Sequence, residues 1–128
     1  MRKTLVILTI LFSALGLRAQ DVHQTMADAL ASGNVASMSA MFDAKVDLTI
    51  RGKENSYSKA QAEQIVRDFF ARNQAKGYQE VHRGNSKDGA QYSIGSLTTA
   101  TGSYRTYVLL KSVGGKMRVQ QLRIEGND

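Results

Sequence analysis

The chain has 128 residues with a formal net charge of +6 and no Cys, Pro or Trp, so disulfide bridging, cysteine nucleophiles and cysteine-ligated metal are excluded from the start. The charge overstates how basic the folded part is. Arg2, Lys3 and Arg18 sit in the first twenty residues with no acidic residue among them, and the remainder carries only about +3. Its basic residues are interleaved with acids, which argues against a nucleic-acid partner.

Residues 1–20 have the layout of a signal peptide: basic Arg2 and Lys3, an apolar stretch from Leu5 to Leu17, then the exit Arg18-Ala19-Gln20. The apolar run is shorter than the roughly 20 residues a transmembrane helix needs. Cleavage near Ala19/Gln20 would leave residues 21–128 as one domain, periplasmic or secreted. Without a cysteine that domain could carry no lipid of the bacterial lipoprotein type, so no stable membrane anchor is expected.

Val22, Met26, Ala29 and Leu30 share a helical face, and Gly33 follows where a left-handed terminus is needed, so a first helix ends near Ser32. Asn34 can cap a second short helix whose face holds Val35, Met38, Met41 and Phe42. From Lys45 to Arg51 the period changes to two, giving a strand that Gly52 ends. Ser58 and Gln61 have capping-box spacing, and Ala62, Ile65, Val66, Phe69 and Phe70 follow at amphipathic-helix intervals, with Glu63–Arg67 and Asp68–Arg72 as expected surface pairs.

Four strand-like stretches follow: Tyr78 to Asn85, Ala90 to Ala100, Ser103 to Val113 and Lys116 to Glu125. Their short, turn-rich separators can join only antiparallel neighbours, which predicts a meander. The third stretch is apolar on both faces, Tyr104, Val108 and Leu110 on one and Tyr107, Leu109 and Val113 on the other, so it is expected to be central and covered on both sides. In the last, the apolar phase slips at Gln120 and Gln121, where a β-bulge is expected. Helices followed by strands give an α+β class, with N-terminal helices packed on a strongly curved antiparallel sheet.

The segments Ser58-Lys59-Ala60-Gln61-Ala62-Glu63, Asp68-Phe69-Phe70, His82-Arg83-Gly84, Tyr104-Arg105-Thr106-Tyr107 and Leu122-Arg123-Ile124-Glu125 resemble a family of small exported bacterial proteins catalogued as a domain of unknown function. That resemblance implies the nuclear-transport-factor-two-like cone, also called cystatin-like. It implies no chemistry, because the cone hosts isomerases, dehydratases, binding modules and adaptors alike.

The residues themselves offer a few candidates. His82 alternates with Tyr78 and Glu80 on its strand, which suits a general base or a polar ligand site, and equally a histidine bonded to a neighbouring strand. Arg105 and Tyr107 share a face, where an arginine beside a ring could hold a carboxylate or phosphate, or simply pair across strands. With Tyr57, Phe70 and Tyr92 these make the expected ligand-binding set: Tyr57, Phe70, His82, Tyr92, Arg105 and Tyr107. Asp47 and Glu54 are poorly placed as buried bases, and no phosphate loop, nucleophile elbow or metal-ligand spacing is present. Expected, then, is a non-enzymatic binding module for an unknown small molecule, without cofactor or metal. The alternatives are a protein-interaction or homodimerisation module joined through its sheet and, less favoured, an isomerase- or dehydratase-like enzyme in the cone pocket.

Overall fold

The computed structural model describes residues 21–86 and 88–127, so the signal-peptide reading of residues 1–20 lies outside the described residues. The elements run α1 (Val22–Ser32), α2 (Val35–Ala40), β1 (Phe42–Ile50), β2 (Lys53–Ser58), α3 (Lys59–Arg72), β3 (Ala75–Asn85), β4 (Gln91–Thr99), β5 (Gly102–Val113) and β6 (Lys116–Gly126). The strands form one sheet in the order β2-β1-β6-β5-β4-β3. Every pairing is antiparallel except β1 with β6, which is parallel.

Local chemistry sets the helix ends. The Asp21 carboxylate accepts from the His23 and Gln24 amides at the start of α1. Gly33 closes it at φ 68°, and a Cβ there would press on Ala75 at 3.3 Å, so both the backbone angle and the space favour glycine. Asn34 then caps α2 through the Ser37 amide. On α3 the capping box is formed in both directions between Ser58 and Gln61. The helix ends at Arg72, where Asn73 turns its side chain back to donate to the Phe69 carbonyl.

Helix α1 packs on β3 and β4, whereas α3 packs on β1 and β2, with α2 between the other two helices. One apolar core fills the space between helices and sheet. Met26, Leu30, Met38, Val66, Phe69 and Phe70 come from the helices, and Val46, Leu48, Leu97, Tyr104, Val108, Leu110, Leu122 and Ile124 from the sheet. Phe69 is its hinge, edge-on to both Phe70 and Tyr104 with ring centroids 5.2 Å apart in each case.

The predicted bulge falls at Gln120: Leu109 pairs with Gln121 and Leu110 with Val119, leaving Gln120 unpaired, and its amide donates to Asp43. Along the same edge four residues of β1, between Phe42 and Asp47, stand against that one residue of β6, so both strands bend together. Several expectations need correction. Phe42, expected on the face of the second helix, instead begins β1, three residues earlier than the alternation indicated, because α2 ends at Ala40. β5 is interior to the sheet yet covered on one side only: Tyr107 and Leu109 stay half-buried, and Val113 is 43% exposed. The Asp68–Arg72 pair does not form, because Asp68 accepts from Gln64 instead.

Candidate functional site

Two regions on opposite sides of the sheet hold the candidate residues; a further hollow of about 480 Å³ lies between the start of α1, the end of α2 and the β5–β6 turn. The first region is a cleft of about 490 Å³ between α3 and the β1–β2 hairpin, a size within the range of small-molecule sites. Its apolar wall is Leu48, Ile50, Tyr57, Ile65 and Phe69, and its polar rim is Arg51, Lys53, Asp68, Arg72 and Asn73. Leu48 and Ile50 reach it because β1 turns alternate residues toward the helices, and Ile65 and Phe69 because they lie four apart on α3. Ile50 pairs with Lys53, so Arg51 and Gly52 alone form the hairpin loop, with φ of 51° and 85°. This is a type I′ turn, whose first position suits Asn, Asp or Gly. Arginine in that left-handed region costs on the order of 1 kcal/mol, and Arg51 is the one non-glycine residue with positive φ among the described residues.

At one end of the cleft is a half-buried polar knot. The Asn73 side-chain oxygen accepts from the hydroxyls of Thr101 and Tyr104, the Thr99 hydroxyl donates to the Gly102 carbonyl, and the Asn73 amide is fixed on Phe69. Thr101 and Tyr104 also line a second hollow that shares Arg51 with the first. Arg51 therefore stands where the two meet. Among the described residues no carboxylate lies within ion-pair distance of Arg51, Lys53 or Arg72.

The second region is the sheet face turned away from the helices. Residues paired across strands share a face, so the register sets His82, Ile94, Tyr107 and Arg123 in one row and Tyr92, Leu109 and Gln121 in the next. Tyr92 and Tyr107 stack with centroids 6.2 Å apart, and the His82 Nε2 lies 3.2 Å from the Tyr92 hydroxyl. Arg105, Tyr107, Gln121, Arg123 and Glu125 outline a shallow hollow of about 310 Å³.

The six residues singled out from the sequence do not converge. Tyr57 lines the cleft, and Phe70 lies behind it in the core. His82, Tyr92, Arg105 and Tyr107 occupy the opposite face of the sheet. His82 is there because the β3–β4 register skips Val81, which stands 71% exposed as a bulge. That extra residue reverses the alternation, separating His82 from Tyr78 and Glu80. Those two face α1, where Glu80 and Asp21 together hold Arg83. The Arg83 bond keeps the Asp21 carboxyl below its ordinary value, while burial and then the Glu80 charge push Tyr78 up to about 12. Sequence reasoning missed Arg51 and Arg72 as site residues. The usable signal was Arg51-Gly52 between two strand-like runs, a two-residue hairpin turn with a side chain in an unfavoured place.

The family model described as "Domain of unknown function (DUF4783)" matches residues 23–125, and the chain belongs to that family. Crystal structures of family members from two Bacteroides species are similar to it. For the one from Bacteroides uniformis the TM-score is 0.80 at 29% identity, covering 84% of this chain and 99% of that one. For the one from Bacteroides ovatus it is 0.77 at 27%, covering 81% and 94%. A designed protein of the nuclear-transport-factor-two type with a long sheet matches at TM-score 0.64 and 13% identity, covering 80% and 94%. The fold is thus α+β and nuclear-transport-factor-two-like, as the sequence implied. No curated protein matches the chain.

Proposed function

We propose that this protein is an exported, non-catalytic module that binds a small molecule in the cleft between α3 and the β1–β2 hairpin. The observation that carries the reading is the cleft itself: an apolar wall of Leu48, Ile50, Tyr57, Ile65 and Phe69 behind a rim of polar side chains, which is the usual composition of a ligand site. Its lining includes no histidine and a single carboxylate, Asp68, so it offers recognition more readily than proton transfer. The leader-like residues 1–20 support placement outside the cytoplasm, and no helix among the described residues is long and apolar enough to cross a membrane.

The test is titration with phenylnaphthylamine, a neutral apolar fluorophore. Saturable binding is expected, and Ile65→Glu, which places a charge on the wall at a half-buried position, should abolish it while leaving the circular dichroism spectrum unchanged. Equal binding by wild type and I65E would remove the cleft from consideration.

One observation favours a second reading, a homodimer joined through the sheet. Tyr92, Ile94, Tyr107 and Leu109 lie together, half-buried, on the face the helices leave bare. Sedimentation equilibrium distinguishes the two: a dimer dissociated by Tyr107→Glu supports the sheet interface, and a monomer throughout the accessible concentration range removes it.

A further inference from the structure

We infer that the cleft selects an amphiphilic monoanion, a compact apolar body bearing a carboxylate-like head group, and that Arg51 and Arg72 hold the head. This deepens the ligand-binding reading and rests on it. Three cations and one carboxylate border the cleft, and none of the cations has an ion-pair partner among the described residues. The lone acid, Asp68, accepts from Gln64 at 3.2 Å and makes no ion pair with Arg72 one turn on, so three cations against one carboxylate leave the rim net positive. A cation in the last helical turn already complements the helix dipole, and Arg72 by itself would carry nothing.

Arg51 is a different matter. It occupies a left-handed position that asparagine or glycine would fill with less strain, and its backbone bond, amide to the Ile124 carbonyl at 2.9 Å, would survive in any of them except proline. The strained residue is the one shared by both hollows, at the junction of apolar wall and polar knot. A guanidinium there can present two parallel donors to the two oxygens of an anionic head, while Ile50, Tyr57, Ile65 and Phe69 take the body.

The experiment compares two fluorophores of nearly the same aromatic body, anilinonaphthalenesulfonate and neutral phenylnaphthylamine, on wild type, Arg51→Asn and Arg72→Gln. Wild type should prefer the sulfonate, with an affinity that falls as salt rises. R51N should melt at the same temperature or higher and lose roughly tenfold in sulfonate affinity while keeping that for the amine. R72Q should lose less, in the same direction. Equal affinity of wild type for both probes, or sulfonate binding unchanged in R51N, overturns the anion assignment and leaves the cleft reading standing. Binding of neither probe overturns both. The same head group could belong to a membrane lipid. Arg51-dependent co-sedimentation with anionic phospholipid vesicles, without the probe preference, would overturn the assignment to a free acid.

Discussion

The cleft and the bare sheet face use similar side chains and differ in how those side chains are engaged. On the bare face Tyr92 and Tyr107 stack on each other, His82 meets the Tyr92 hydroxyl, and Arg123 reaches Glu125 at 3.2 Å. Arg105 stands opposite Glu125 in the register, but the carboxylate goes to Arg123. In the cleft, Tyr57 and Phe69 line a hollow and the cations around them form no ion pair among the described residues. Aromatic rings and arginines therefore do not mark a site by their presence. Arg105 on the bare face also has no ion pair among the described residues, so what distinguishes the cleft is that its unpaired cations border an apolar wall between helix and hairpin, which only the fold brings together.

Phe69 belongs to both core and cleft, so loss of its ring has the largest expected effect. Phe69→Ala should destabilise the fold by about 3–5 kcal/mol, read from chemical denaturation, and abolish probe binding with it. Asn73→Ala would remove the acceptor shared by the Thr101 and Tyr104 hydroxyls, which keep their bond to each other, a loss of about 0.5–1.5 kcal/mol. Probe affinity should fall with it, because the cleft ends on that residue. Tyr107→Ala on the bare face should cost about 1 kcal/mol, the scale of one aromatic pair, and leave phenylnaphthylamine binding unchanged. A loss of binding there would show that the two regions are not separate.

The smallest effect concerns pH. Asp21 has a lowered folded pKa, chiefly through the Arg83 bond, so its contribution is complete above the ordinary value of 3.8 and disappears as pH falls below it through the folded value. Asp21→Asn keeps a capping side chain and should remove this acid-side dependence with little change at neutral pH, measured as melting temperature against pH.

Elements governed by short-range rules were legible in the chain. The Ser58–Gln61 capping box, the Gly33 terminus and the phase slip at Gln120 each leave a local signature, and each is where the pattern put it. The parallel partnership of β1 with β6 joins strands far apart in the chain, and nothing local specifies it. The Val81 bulge was hidden because a single extra residue changes no composition, yet it moved His82 to the other side of the sheet. Arg51 and Arg72 were illegible for another reason. Exposed cations follow no period, and Asp68 has two possible partners one turn away on either side, Gln64 and Arg72, between which the spacing does not choose.

The most direct test of cleft against sheet face is amide chemical-shift mapping during titration with anilinonaphthalenesulfonate. Shifts confined to the Arg51-Gly52 turn, Tyr57 and the α3 residues from Ile65 to Asn73 are the predicted result. Shifts centred on Tyr92, Tyr107 and Arg105 instead would contradict the assignment and place recognition on the bare face of the sheet.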